Sequence, residues 1–218
     1  TIMEGARIGE NCKIFPGAVI SAIPQDLKFN GEESVVEIGN ETTIRECSTI
    51  NRGTSITGKT LIGENCLIMA YSHVAHDCVI GNNCIIVNGV ALAGHVKVGD
   101  YAIIGGNSSV HQFVTIGKHT MISGGSLVRK DVPPYVKAAR EPLSYIGVNS
   151  IGLRRRGFLE GKITEIQDIY RILFQKNNNN SQALTKIEAE LRSSPERDEI
   201  ISFIQNSGRG IMKGYKQN

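Results

Sequence analysis

The chain has 218 residues, with 24 Lys and Arg against 21 Asp and Glu for a formal net charge of +3. A balance so near neutral, with no basic tract interleaved with aromatics, excludes a dedicated nucleic-acid binder. No run approaches the roughly 18 apolar residues that a membrane-spanning helix needs, and no secretory signal pattern is present.

An aliphatic residue recurs every six positions. The phase opens at Ile8, Ile14 and Ile20, lapses at Asp26 and Glu32, and resumes at Ile38. From there it runs through Ile44, Ile50, Ile56, Ile62, Ile68, Val74, Ile80, Ile86, Leu92, Val98, Ile104, Val110, Ile116, Ile122 and Val128. The residue two before each of these is small or β-branched, as at Thr42, Ser48, Thr54, Cys66 and Ser72. A period of six fits neither a helix nor a simple alternating strand. It is the signature of a hexapeptide β-helix. One hexad supplies a short strand and a corner, and three close a triangular coil. Coils stack at strand spacing, roughly 4.8 Å, with the aliphatic side chains inside the prism. No coil folds alone, because only its neighbours cover its faces. The lapse predicts a loop thrown out over about residues 21–34, where Pro24, Gln25, Asp26 and Lys28 crowd together.

Cys12, Cys66, Cys78 and Cys84 all take the small position of the hexad, which predicts packing rather than disulfide or metal binding. Free buried thiols suit a reducing cytoplasm. The hexads stop at Asp131-Val132-Pro133-Pro134, because proline cannot donate to a ladder. The coil is therefore expected over residues 1–140. Beyond Asn149 the period changes. Leu159, Ile163, Ile166, Tyr170 and Leu173 predict an amphipathic helix, broken by the run Asn177–Asn180. Leu184, Ile187 and Leu191 predict a second. Ser194-Pro195 suits the cap and first turn of a third, with Ile200, Ile201 and Ile204 on its apolar side. A C-terminal α-helical domain is expected over 150–218. From Ile146 onward there are 12 Lys and Arg against 8 Asp and Glu, an excess focused at Arg154-Arg155-Arg156. Such a cluster is a solvated face or a site for an acidic partner or a phosphate.

The five histidines can be placed by the coil. Dividing the numbers of His73, His76, His95, His111 and His119 by eighteen leaves 1, 4, 5, 3 and 11. His76, His95 and His111 thus fall in one corner region on three consecutive coils, with His73 at its leading edge and His119 elsewhere. Gly94 and Gln112 share the phase of His76. Two chemistries fit this column. One is general-base catalysis, in which a neutral imidazole takes a proton from an attacking hydroxyl. Asp77 would orient His76, and the Gly94 backbone N–H would receive an oxyanion. The other is a three-histidine zinc site with water as fourth ligand.

The stretch His73-Val74-Ala75-His76-Asp77-Cys78 resembles the signature of the acyl-carrier-protein-dependent UDP-N-acetylglucosamine acyltransferases, which begin lipid A synthesis. So do Leu92-Ala93-Gly94-His95-Val96, Val110-His111-Gln112-Phe113, Gln25-Asp26-Leu27-Lys28-Phe29, Asp131-Val132-Pro133-Pro134-Tyr135 and Gly152-Leu153-Arg154-Arg155-Arg156-Gly157-Phe158, in the order of that family. The resemblance implies a mainly β fold, a left-handed parallel β-helix with a C-terminal helical domain. It also implies a cytoplasmic homotrimer with sites between subunits, and no cofactor or metal. The reaction implied is transfer of a 3-hydroxyacyl chain from an acidic acyl carrier protein to the 3-hydroxyl of UDP-N-acetylglucosamine. His76 matches the family's catalytic base, with Asp77 beside it and Gly94 at the oxyanion position. Met69, His73, His95, His111 and Gln112 match substrate-site positions. Asp26 and Lys28 match a loop that meets the nucleotide sugar, and Asn149, Arg155 and Arg156 match phosphate-binding positions. Gly124 falls where the family limits acyl length, which implies a chain of about fourteen carbons or more, since glycine has no side chain to close the groove. Two departures stand out. Pro142 replaces a substrate-facing histidine and Tyr71 a smaller polar residue, which leaves 3-hydroxyl and 3-amino acceptors both open.

Overall fold

The computed structural model describes residues 1–174 and 179–214. Its first part is a three-sided parallel coil. The first sheet stacks Ala6–Ile8, Val35–Ile38, Lys59–Ile62, Val79–Ile80, Lys97–Val98 and Thr115–Ile116. The second opens with Lys13–Ile14, Thr43–Ile44, Leu67–Ile68, Ile85–Ile86, Ile103–Ile104 and Met121–Ile122. The third holds Val19–Ala22, Thr49–Asn51, His73–Val74, Ala91–Leu92, Ser109–Val110 and Leu127–Val128. The chain visits the sheets in that order, so residues eighteen apart pair, as Ile86 with Ile104 and Leu92 with Val110.

Three corners result. We call them the tyrosine corner (first to second sheet, around Tyr101), the glycine corner (second to third, around Gly105 and Gly106) and the histidine corner (third to first, around His76). Inside, the middle of the aliphatic column is fully enclosed, since Ile44, Ile50, Ile68, Val74, Ile80, Ile86, Leu92 and Ile104 expose nothing, while Ile8 at its open end is 36% exposed. The small position of each hexad works as a clip to the next coil. Thr42, Cys66, Cys78 and Cys84 direct their Oγ1 or Sγ to the carbonyls of Gly63, Gly81, Ala93 and Gly99 at 2.8–3.2 Å. The cysteines are therefore packing residues with a weak hydrogen bond, and all five are free thiols.

Two insertions break the eighteen-residue coil, and both lie at the histidine corner. The chain leaves the coil after Ala22 and re-enters at Val35. It leaves again after Asn51 and re-enters at Lys59, so that Ile38 pairs with Ile62 twenty-four residues on. Ile56, expected in the core, belongs to this second insertion and is 68% exposed. The insertion is one hexad long, so the six-residue phase passes through it unchanged. Gly53 and Gly58 bracket it. A Cβ on Gly53 would come within 2.3 Å of the Lys59 backbone N, and Gly58 has a φ of +72°. Only glycine allows strands to meet so closely at the neck and to close the turn in the left-handed region.

The prolines end the hexads but not the sheet. Val136–Ala139 pairs in parallel with Met121–Ile122, Ser144–Val148 returns antiparallel, and Lys213–Gly214 finishes the second sheet. Among the described residues, four helices follow the coil: α1 Ser150–Arg155, α2 Glu160–Leu173, α3 Asn180–Glu190 and α4 Pro195–Gln205. Helix α1 has no counterpart in the sequence expectations. Leu159 precedes α2 as its N-cap and is exposed, while Ile163, Ile166, Ile169, Tyr170 and Leu173 are buried. Of the run expected to break the helix, Asn179 caps α3 through a capping box and Asn180 opens it. Asn177 and Asn178 lie outside the described residues. Ser194 caps α4 and Pro195 begins it. The helices dock on the coil through Tyr170, whose hydroxyl donates to the Pro134 carbonyl at 2.6 Å.

Truncating the enclosed Ile86 to alanine should lower the unfolding free energy by about 2–5 kcal/mol, whereas Ile56→Ala should change it by about 0.5 kcal/mol or less. Denaturant titration of both variants checks this; equal losses would return Ile56 to the core.

Candidate active site

The corner residue of each coil that turns the chain adopts positive φ. At the histidine corner these are Asp77, His95 and Phe113, at +60°, +63° and +64°. Left-handed backbone costs an L-residue roughly 1–2 kcal/mol, and aspartate tolerates it better than most. Stacking fixes what these residues touch. The Phe113 N–H donates to the Gly94 carbonyl and the His95 N–H to the His76 carbonyl, at 3.2 and 3.1 Å. The His95 ring stacks on Phe113 at 4.6 Å and meets His76 edge-on at 5.1 Å.

Asp77 is the centre of the corner. Its side chain is wholly enclosed and that of His76 is 14% exposed. His76 Nδ1 lies 2.7 Å from Asp77 Oδ2. The Thr54 hydroxyl donates to the same oxygen at 2.7 Å, the Thr54 backbone N–H reaches both carboxylate oxygens, and the Thr57 hydroxyl contacts Oδ1. Burial pushes the Asp77 carboxyl up, but the bonds from Thr57, His76 and Thr54 outweigh it and hold the group below its usual value. An ionised carboxylate only accepts, so Nδ1 of His76 carries a proton, and in the neutral ring the lone pair sits on Nε2.

Gly94 lies against the imidazole. A Cβ there would come within 2.6 Å of His76 Cε1 and 2.7 Å of Nε2. The glycine thus gives the ring its place. Among the described residues the Gly94 N–H makes no hydrogen bond within the chain.

His73 stands on the strand ahead, its Nδ1 2.7 Å from the Thr49 hydroxyl, and burial together with His76 pushes its imidazole down. Burial lowers His95 as well, while Asp77 and Asp26 pull it up. His111 and Gln112 are exposed on the third coil of the same corner, with His111 Nδ1 3.2 Å from the Gln112 carbonyl. Asp26 and Lys28 ride on the first insertion, where the Lys28 N–H donates to Asp26. The remaining expected residues lie on other corners. Met69 and Gly124 belong to the glycine corner; Gly124 does not have positive φ, and a Cβ on it would sit 3.0 Å from the Gly106 carbonyl. Asn149 and Arg156 belong to the tyrosine corner. Asn149 caps α1 through its Oδ1 and donates to the His119 carbonyl. The Arg156 guanidinium lies over the Tyr101 ring and 3.3 Å from His119 Nδ1. Arg154 pairs with Glu160, whereas Arg155 is exposed and has no ion-pair partner among the described residues.

The zinc reading asks for His76, His95 and His111 on one ion. Among the described residues, the group within ligand reach of one another is His76, Asp77 and His95. Asp77 already takes bonds from Thr54, Thr57 and His76, so lending an oxygen to a metal would break that set. The donor set does not fit a three-histidine site.

Thr54 and Thr57 were missed in the sequence because the hexad phase runs through them. The signal that could have found them is Gly53 and Gly58 enclosing three hydroxyl residues, Thr54, Ser55 and Thr57, one coil ahead of the histidines. The proton that Asp77 holds on His76 should give a low-field imidazole N–H resonance in the native protein. Gly94→Ala should shift or broaden it by displacing the ring, and proton NMR reads this directly; an unaltered resonance would show that the ring does not need the glycine.

Residues 131–212 match the family model for domain 2 of UDP-N-acetylglucosamine O-acyltransferase, and residues 59–94 and 95–130 match the bacterial transferase hexapeptide model. The chain is 57% identical over 207 residues to an acyl-[acyl-carrier-protein]–UDP-N-acetylglucosamine O-acyltransferase of Chlorobaculum parvum, covering 94% of this chain and 78% of that one. To the Aquifex aeolicus protein of the same name it is 59% identical over 204 residues, covering 93% and 78%. The crystal structure of a UDP-N-acetylglucosamine acyltransferase from Bacteroides fragilis superposes with a TM-score of 0.96 at 54% identity, over 97% of this chain and 83% of that one. With its left-handed parallel β-helix and C-terminal helices, the chain belongs to the acyl-[acyl-carrier-protein]–UDP-N-acetylglucosamine O-acyltransferase family.

Proposed function

We propose that the protein transfers a 3-hydroxyacyl chain from acyl carrier protein to the 3-hydroxyl of UDP-N-acetylglucosamine, the step that opens lipid A synthesis. The observation that carries this reading is the His76–Asp77 pair over Gly94. His76 Nε2 removes the proton of the sugar hydroxyl as its oxygen attacks the thioester carbonyl. The Gly94 N–H receives the oxyanion of the tetrahedral intermediate. The C–S bond then breaks, the imidazolium returns the proton to the leaving sulfur, and an ester and a free thiol remain. Asp77 stabilises the transient imidazolium without taking its proton. The names of the relatives, all O-acyltransferases, favour a hydroxyl acceptor over an amino one.

The rest of the substrate site is read from position. Asp26 and Lys28 on the first insertion, with His73, His95, His111 and Gln112 on the histidine corner, form the sugar side. Met69 and Gly124 on the glycine corner form the acyl side, and Asn149, Arg155 and Arg156 the phosphate side. Arg155 supplies the unpaired cation, while Asn149 and Arg156 are held within the chain and would shape the site more than bind. One chain keeps these three groups on three separate corners. A three-fold assembly of copies brings unlike corners together, and would cover Tyr71 and Phe113, which are 71% and 53% exposed. We therefore read the working form as a homotrimer whose basic helices, around Arg154–Arg156, meet an acidic carrier protein. The cytoplasm fits its free thiols. No helix among the described residues is long and apolar enough to cross a membrane.

Incubation with UDP-N-acetylglucosamine and a mixed pool of 3-hydroxyacyl carrier proteins, read by mass spectrometry, should show one acylated nucleotide sugar. His76→Ala should lower its formation by about 10²–10⁴-fold, with the scattering mass still about three times the 23.7 kDa chain. Turnover within tenfold of native would remove His76 as the base. Gly124→Met should move the preferred acyl chain to a shorter one; an unchanged preference would discard the acyl-length role.

A further inference from the structure

The second insertion is where the coil departs from its repeat directly above the reacting corner. Its neck is pinned by the contact of Gly53 with Lys59, and its turn is closed by the Gly58 N–H on the Thr54 carbonyl at 2.7 Å. This small, fixed loop directs two hydroxyls and one backbone N–H at a single carboxylate, that of Asp77. The first insertion braces it from outside, since Glu32 Oε1 accepts the Ser55 N–H at 2.9 Å. Ile56 at the loop's tip is exposed, so the loop contributes nothing to the aliphatic core. What it contributes is donors.

The physical problem at this corner is one of charge. A bare, buried carboxylate 2.7 Å from an imidazole favours imidazolium strongly. A histidine held as imidazolium cannot take a proton. A useful base is neutral at working pH yet still basic. Hydroxyl donors on the carboxylate draw its charge away from the ring and weaken its pull on the imidazole proton. Thr57 Oγ1 lies within reach of both Asp77 Oδ1 and the Lys59 carbonyl. Its single proton goes to the carboxylate, the stronger acceptor.

We propose that the insertion Gly53–Gly58 is a positioning element for the catalytic pair, in which the Thr57 hydroxyl, with Thr54, damps the Asp77 charge so that His76 stays a free base near neutral pH. The inference rests on the reading of His76 as general base. Titratable groups near His76 include His73 on the preceding strand, His95 on the next coil, Asp26 of the first insertion, which acts on His95, and the thiol of Cys78, which burial pushes up to about 12 and keeps neutral. None of them changes in the variants below.

Thr57 is exposed, so Thr57→Val removes the hydroxyl without opening the core. With less charge drawn off Asp77, the imidazolium of His76 gains stability. The acidic limb of kcat/KM should then move up by about 0.5–1 pH unit. Turnover should fall by roughly three- to tenfold on the acidic limb, by about threefold or less at pH 7, and recover towards native at pH 8.5. Thr57→Ser should restore the native profile, and Thr57→Ala should repeat the displacement without the added methyl. A merely structural role predicts a loss equal at all pH values. A titration of ¹³C-labelled His76 by NMR reads the same displacement without turnover, which separates this inference from the acyl-transfer reading. An acidic limb and a His76 titration both unmoved in Thr57→Val and Thr57→Ala would overturn the proposal, whatever the loss of rate.

Discussion

Everything in this molecule hangs on the vertical hydrogen bonds between coils. The His73 N–H reaches the Val90 carbonyl at 2.8 Å, Val79 reaches Val96 at 2.9 Å and Ile85 reaches Ala102 at 3.0 Å, and a second such bond follows on each side, from Ala75, Gly81 and Val87. Such bonds leave no freedom of register. Where no insertion intervenes, a residue is bound to stand over the one eighteen places on, inside or outside the prism. Each aliphatic side chain therefore meets its like, and each corner repeats the backbone of the corner before it. Stability is shared between neighbours along the stack rather than gathered in one centre.

The same constraint explains where chemistry collects. A corner forces one residue per coil into left-handed backbone, and that residue projects outward. At the tyrosine corner these residues offset the strain by stacking: Tyr101, His119 and Tyr135 lie ring on ring at 4.8 and 5.6 Å. At the histidine corner His95 stacks on Phe113 in the same way. Asp77 has no ring, and it is anchored by donors that the second insertion brings to it. Strained backbone persists where its surroundings over-determine it, and Asp77 is the most heavily bonded of these residues.

The coil was legible in the sequence because its rule is local and repeats. The arithmetic of eighteen brought His76, His95 and His111 to one corner, and that is where they stand, since no insertion falls after Ile62 within the hexads. The same arithmetic failed at Ile56. Nothing in the stack requires an inserted loop to be a multiple of six, so a hexad-long insertion reads as one more strand. Thr57 was hidden for the same reason. Asn149 and Arg156 illustrate another limit. Their types suggest ligand binding, but their partners, the His119 carbonyl and the Tyr101 and His119 rings, come from a part of the chain thirty or more residues away. Only the packing of α1 on the coil reveals them.

Two histidines show how environment assigns a role to one residue type. His119 is buried beneath rings, and that burial, helped by Arg156 and Lys118, pushes it down to about 4. It stays neutral, both faces are covered, and its Nδ1 is spent on Arg156. It is a joint between coil and helices. His76 has the opposite setting: a buried anion behind Nδ1, a bare glycine close to Cε1 and Nε2, and a side chain still 14% exposed. Neither setting is written in the histidine itself. Each follows from which corner of the prism the residue occupies, and from what the chain inserts above that corner. In a fold this regular, the positions that break the repeat decide the chemistry, because the repeating ones are already committed to the core.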